Sequence, residues 1–587
     1  MCNDVHMDSL EDIPISYRKN KNGALLKSFE QPEVLNTSGA QNYLSIYKRF
    51  FSLNESNWNS VNLNNKWELE EVSRKPGDKI FSATVVDSDM KKRKVQVFFK
   101  LSPLIEPLKY MTGKYASIDD TLFSLPTLEG SGLPKMDDIN NSAYVDGFFT
   151  YLTSKLLHRY GFVHGLDFYG SYLGIKEDFP FNVEEDLEFL YRSDFFHLHK
   201  GSRFQIDNAY YDDILNIDSR KFKKKLSLGK SIDNISISSN SSLDRLSDVI
   251  SSEEPASATG AASAQGEVDL VFHQEEKATS TKSTRSSCSH CSSRSSVTGD
   301  EKEQDSDDEE VEEDDNDDES ELSDEVEVSV LIKRFPVQII ALEACEDTLD
   351  SLIETDICYA EVVSALMQII MTLITYQKAF DLTHNDLHTN NVMYVSTEKQ
   401  YIYYRYESAY YKVPTFGRIY KIIDFGRGIY RYKGHHLVSD SFDKDGDAAT
   451  QYNMEPFMND KKPRLDPNSS FDLCRLACSL FDVFVPPEDD DVDSQARRVS
   501  NPELYNPVKD LIEDWCKDDK DRNVLYKTHG EERYPSFKLY KMIARTVHKH
   551  TPEAQLKRDI FANYKVSRKS LPRKPRLVDI DKIPVMV

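Results

Sequence analysis

The chain has 587 residues, with 73 basic and 99 acidic side chains and a formal net charge of −26, long enough for two or three packed units of about 150 residues each. The acidic balance argues against a general nucleic-acid coat, and eight scattered cysteines (Cys2, Cys288, Cys291, Cys345, Cys358, Cys474, Cys478 and Cys516) form no disulfide framework, so a reducing compartment is expected. No run reaches the roughly 18 apolar residues of a membrane span, and MCNDVHMDSLEDIP at the N-terminus has neither the basic nor the apolar region of a secretory signal.

Residues 1–40 read as an N-terminal tail. Three strand-like runs follow, KWELEEVSR (66–74), IFSATVVD (80–87) and KVQVFFKL (94–101), separated by short turns. In SAYVDGFFTYLTSKLL (142–157), Val145, Phe148, Phe149, Leu152 and Leu156 recur at helical spacing. FYGSYLGI (168–175) and FPVQIIALE (335–343) are again strand-like, which makes a small α+β unit. Between these last two runs the composition changes. The 112 residues 223–334 hold one aromatic residue, Phe272, although aromatic residues make up 11% of the chain. So little apolar surface cannot offset the entropy of ordering, and disorder is predicted for 223–328. This excursion opens on the basic run RKFKKK, passes through a Ser-rich tract containing Cys288, His290 and Cys291, and closes on residues 300–327, where 19 acids face only Lys302.

After Glu343 the pattern turns helical: Val362, Leu366, Ile369, Ile370 and Leu373 share one face of 361–379. The loop LTHNDLHTNNVMY (382–394) follows, carrying His384, Asp386 and Asn391 as H-x-D-L-x-x-x-N, and 38 residues beyond Asp386 a second acid, Asp424, ends the apolar run of KIIDFGRG. Phosphoryl transfer needs such parts, because hard oxygen ligands must hold magnesium and a carboxylate must orient the attacking hydroxyl. The stretch between Asn391 and Asp424, with alternating tyrosines, predicts an added β-hairpin. The cluster RKSLPRKPR (568–576) reads as a solvated basic tail.

At these residues the chain resembles the protein kinase superfamily, whose catalytic loop and D-F-G motif they match. More narrowly, VFFKLSPL, DFYGSYLGI, THNDLHTNN, KVPTFGRIYKIIDFGR, SFDLCRLACSLFD and ERYPSFKLYKMIARTVH look like serine/threonine kinase-like proteins of large cytoplasmic DNA viruses. The resemblance implies a two-lobed α+β kinase fold: an N-lobe with a family-specific extension (41–222), the disordered insertion (223–328), the last N-lobe strand (329–343), a helical C-lobe (344–565) and a basic C-terminal tail (566–587). It also implies ATP and magnesium as cofactors, protein substrates, no specific nucleic-acid binding and a place in the host cytoplasm or virion.

Residue by residue, the resemblance makes Asp386 the group that orients the acceptor hydroxyl. Asn391 and Asp424 become magnesium ligands, and Lys100 the holder of the α and β phosphates. Glu343 and Cys345 fall in the hinge beside the nucleotide, His384 and Phe425 become packing elements, and Asp472 anchors the catalytic loop. The chain departs from the family at several points. No G-x-G-x-x-G precedes Lys100, and the connection RKPGDKI has the single Gly77. Asp146 stands nearest the αC glutamate but is one methylene shorter, so its pair with Lys100 needs a closer helix. His388 replaces the usual lysine, and no clear A-P-E is present, Met454, Glu455 and Pro456 being nearest. A pseudokinase scaffold and a kinase of a small-molecule hydroxyl are the rival expectations.

Overall fold

Alternating apolar residues such as Phe81, Ala83 and Val85, or Val97 and Phe99, are what a pleated strand with one buried face requires. In the computed structural model these runs join one antiparallel sheet built from β1 (Thr37–Gln41), β2 (Glu68–Arg74), β3 (Phe81–Val86), β4 (Lys92–Pro103), β5 (Phe168–Asn182), β6 (Phe204–Ile206) and β7 (Ser329–Glu343). The order is β1-β5-β7-β4-β3-β2, with β6 pairing the outer part of β7. Registers place Lys100 opposite Ile340 and Phe168 opposite Leu342. The described residues are 13–74, 79–206, 328–355, 357–485, 502–573 and 575–587. The predicted disordered tract, its Cys288/His290/Cys291 motif and Gly77 lie outside them.

Helix α1 (Gly23–Phe29) buries Leu25 and Phe29 beneath the sheet edge. Together with β1 and a short strand Tyr17–Lys19 paired to Val61–Leu63, it makes residues 13–41 part of the fold, where the sequence suggested a tail. Helix α2 (Ser142–Tyr160) starts where the Asn141 side chain accepts the Ala143 N–H and stops at Gly161, whose φ of 68° supplies a left-handed cap.

The other half is mainly helical: α3 (Tyr359–Phe380), α4 (Phe471–Phe484), α5 (Pro502–Trp515) and α6 (Lys538–Thr546). Among the described residues α3 is the one helix long and apolar enough to cross a membrane, and the fold buries it. Strands β8 (Val392–Ser396) and β11 (Arg418–Ile422) pair, and the predicted added hairpin stands between them as β9 (Tyr401–Tyr406) and β10 (Ala409–Pro414). Its two-residue turn has Glu407 and Ser408 at φ of 47° and 63°, the left-handed pair that a tight hairpin demands. A further hairpin, β12 (Ile429–Tyr432) with β13 (His435–Val438), follows Asp424. The last stretch is also built in: Lys565–Val566 pairs β10, and β14 (Leu577–Asp579) lies parallel to β9. Charged composition hid this, because the pairing uses main chain. All described residues belong to one compact unit; a second, 219–285, falls outside them.

Candidate active site

Strand β4 brings Lys100 to the face of the sheet that α2 covers. Its Nζ lies 2.6 Å from Asp146 Oδ2 and 2.9 Å from Asp424 Oδ1. The shorter Asp146 reaches because the next residue is Gly147: a Cβ there would stand 2.2 Å from Gln338 Nε2 and 3.3 Å from Ile340 Cδ1, so only glycine lets α2 approach β7 this closely. Asp146 Oδ1 also accepts the Phe425 N–H at 2.9 Å, which ties α2 to the residue after Asp424. Lys100 is 7% exposed. Burial pushes the Asp146 carboxyl up, while Lys100 outweighs burial at Asp424 and holds that carboxyl down.

The loop carrying Asp386 is fixed from below. Asp472, in the first turn of α4, accepts the N–H groups of His384 (3.1 and 3.0 Å) and Asn385 (2.9 Å) from its buried place. His384 donates from Nε2 to the Ile423 carbonyl at 2.9 Å and accepts the Asp386 N–H on Nδ1 at 3.3 Å, so one tautomer joins the loop to the strand end before Asp424. Phe425 is buried, its ring 4.5 Å from that of Phe149 and 5.3 Å from that of His384. Asn391 Nδ2 donates to the Asp386 carbonyl at 2.8 Å, which turns its Oδ1 the other way. Asn385 and Asp424 both hold positive φ, 67° and 63°, conformations that such residues adopt where the surroundings impose them.

Around the Asp386 carboxylate stand groups that sequence reasoning missed. Tyr540 of α6 donates its hydroxyl to Oδ1 at 3.0 Å, and Arg427 lies 3.5 Å from the same oxygen while pairing Asp447 at 2.7 Å. Burial raises the Asp386 pKa, but Arg427, His388 and Arg475 together bring it down to about 2. Burial lowers that of His388 to about 4, so its imidazole is neutral at pH 7. No short motif announces Tyr540, 154 residues beyond Asp386; Arg427 directly follows Asp-Phe-Gly and was the one visible signal.

At the end of β7 the Glu343 carboxylate is already engaged, by Lys421 and by the Asp167 N–H at 2.8 Å. The Glu343 N–H is engaged as well, donating to the Asp167 carbonyl at 2.9 Å. Burial raises the Cys345 thiol to about 12, and it stays neutral. A groove of about 480 Å³ lined by Glu71, Ser73, Ser82, Thr84, Lys94 and Gln96 continues the face of β4 that presents Lys100.

The segment after β13 is tied back to the sheet half. Asp440 takes Lys135 at 2.6 Å, accepts the Ser142 N–H at 3.0 Å at the start of α2, and donates its own N–H to the Asn140 carbonyl at 2.8 Å. Lys135 also reaches Glu106 at 3.1 Å, and Lys109 donates to the Asp445 carbonyl at 2.6 Å. Burial holds the Asp440 carboxyl up at about 6 against the pull of Lys135; at Glu106 burial is outweighed by Lys135 and Lys109, leaving about 2.

The donor chemistry fits magnesium with a nucleotide: Asp424 offers a carboxylate and Asn391 an oriented amide oxygen, and this ion commonly takes one or two protein ligands beside phosphate oxygens. No protein-family model and no curated protein matches the chain.

Proposed function

We propose that the protein is a two-lobed serine/threonine protein kinase, transferring the γ-phosphoryl group of ATP to protein hydroxyls in the presence of magnesium. The observation that carries this reading is the Lys100, Asp146 and Asp424 cluster beside a loop whose Asp386 and Asn391 are fixed by Asp472 and His384. The sheet order, with α2 entering between β4 and β5, supports the same reading.

In this mechanism Lys100 would hold the α and β phosphates from the sheet side, and Asp424 and Asn391 would hold magnesium. The ion, when bound, neutralises phosphate charge. Asp386 receives the acceptor hydroxyl on Oδ2, since Oδ1 is committed to Tyr540 and Arg427. With its pKa held near 2 it acts first as a fixed negative charge that orients the hydroxyl, and accepts the proton only once the new P–O bond has formed. The loop is withdrawn from solvent, with His384 and Asn385 fully buried and Asp386 8% exposed.

The test is incubation of purified protein with labelled ATP, magnesium and a mixed protein extract, alongside Asp386→Asn and Asp424→Asn. Asp386→Asn is expected to lose at least a hundredfold in kcat while still binding nucleotide. Asp424→Asn is expected to lose magnesium-dependent stabilisation by nucleotide as well. Magnesium-independent ATP binding without transfer to any protein would favour a binding scaffold instead.

A further inference from the structure

Near Asp386 stands a second arginine that makes no ion pair among the described residues; its charge is met only by Asp386 from beyond ion-pair distance and by a hydrogen bond with the Tyr540 side chain. Arg475 lies one turn beyond Asp472 on α4, with its guanidinium carbon 5.0 Å from the centre of the Tyr540 ring. Arg427 is 5.5 Å from the same ring, but its charge is met by Asp386 and Asp447. Among the described residues no carboxylate lies within ion-pair distance of Arg475, and its Nε is buried without a hydrogen-bond partner. A buried guanidinium N–H without an acceptor carries a desolvation cost, which the more distant Asp386 charge and the Tyr540 hydroxyl offset only in part. The cost is recovered when a ligand brings the anion, and the fork geometry of arginine suits a carboxylate or a phosphate.

The position says which part of a substrate would bring it. The Tyr540 hydroxyl holds Asp386 Oδ1 and its ring carries Arg475. These two contacts keep the guanidinium within about 11 Å of the Asp386 carboxylate, a span of about three residues of extended chain. His388, two residues beyond Asp386, is neutral at pH 7 and does not compete for the anion.

We infer that Arg475 is the anion-recognition residue of the acceptor side, taking the carboxylate or phosphate of a residue within about three positions of the acceptor Ser or Thr, so that the substrates are acidic protein segments. This rests on the reading of Asp386 as the group that orients the acceptor hydroxyl. Basic residues at the same positions are repelled by Arg475.

Three serine peptides test it, alike except that the residues flanking the serine are Asp and Glu, Ala, or Lys and Arg. Two quantities are read with the full chain: kcat/KM for transfer, and binding of the labelled acidic peptide by fluorescence anisotropy, which needs no transfer. The parent is expected to favour the acidic peptide over the alanine one at least tenfold, mainly through KM. Arg475→Gln should bring that ratio to near one and weaken acidic-peptide binding by a similar factor. Arg475→Lys, which keeps the charge and the packing stem, should restore part of both, a rescue that a purely structural role would not give. Equal kcat/KM for the acidic and alanine peptides, or an unchanged ratio in Arg475→Gln, overturns the inference while leaving the kinase reading intact. Arg475-dependent binding of the acidic peptide without any transfer upholds the anion site and removes the kinase reading instead.

Discussion

Gly147 decides whether Asp146 can partner Lys100. Gly147→Ala must displace the Gln338 amide from its 2.8 Å bond to Ser171 or push α2 outward, and such overpacking costs about 1–3 kcal/mol. Turnover is expected to fall more than the melting temperature suggests, because the outward shift parts the pair with Lys100. Thermal melts and initial rates measured together check this. Lys100 itself leads to a second expectation. Lys100→Ala leaves the buried Asp146 carboxylate and the partly buried Asp424 without their shared cation, and breaking a buried pair costs about 3–5 kcal/mol. The variant should therefore melt well below the parent, and adding Asp146→Leu should recover part of the loss. At this scale the sequence disclosed the residues whose spacing along one loop is fixed, Asp386, Asn391 and Asp424. Tyr540 and Arg475 come to Asp386 only through the packing of α4 and α6, which no spacing rule encodes, whereas Arg427 was marked by its place directly after Asp-Phe-Gly.

The hairpin β9–β10 is joined to the end of α2 through His164. The Tyr420 carbonyl can only accept, so His164 Nδ1 donates to it at 2.7 Å, and Nε2 accepts from the Tyr404 hydroxyl at 2.7 Å. Burial lowers the His164 pKa from 6.5 to about 4. The folded state therefore resists protonation where the unfolded chain accepts it. The stability is full above pH 6.5 and is lost as pH falls from there towards 4. Between pH 7 and pH 5 this one group removes about 2 kcal/mol. Denaturant unfolding at the two values should show the fall, and His164→Gln should show a shallower one from a lower starting stability. Elements of this kind were legible where one periodicity ruled, as in α2, α3 and the tyrosine-rich hairpin. They were illegible in residues 13–41 and 566–587, whose short strands are stabilised by main-chain pairing to distant partners rather than by a pattern of their own.

Taken whole, the molecule separates what its sequence interleaves. Ile206 stands opposite Val330 in the register of β6 with β7, so the two ends of the long excursion meet across one ladder. Replacing 207–327 by a short Gly/Ser turn closes a hairpin that already exists, and closure entropy changes slowly with length. The shortened chain is expected to melt within a few degrees of the parent, a change of about 1 kcal/mol. A large drop in melting temperature would show that the excursion supports the fold. The α+β class was readable from the order of strand and helix patterns. The order of strands in the sheet was not, since the partner of β4 lies more than 200 residues away in β7.

The ties of Asp440 and Asp445 to Lys135, Lys109, Asn140 and Ser142 have a kinetic consequence. The sheet half and the helical half are joined covalently at Glu343 to Glu346 and held together again by these contacts. If the nucleotide of the proposed function lodges between the halves, loosening these contacts should speed its exit. Under that proposal ligand exchange, rather than bond making, is the expected slow stage, as gating motions often are. Because the attachment includes ion pairs, added salt should quicken nucleotide release measured by stopped-flow, and Lys135→Met should quicken it without salt.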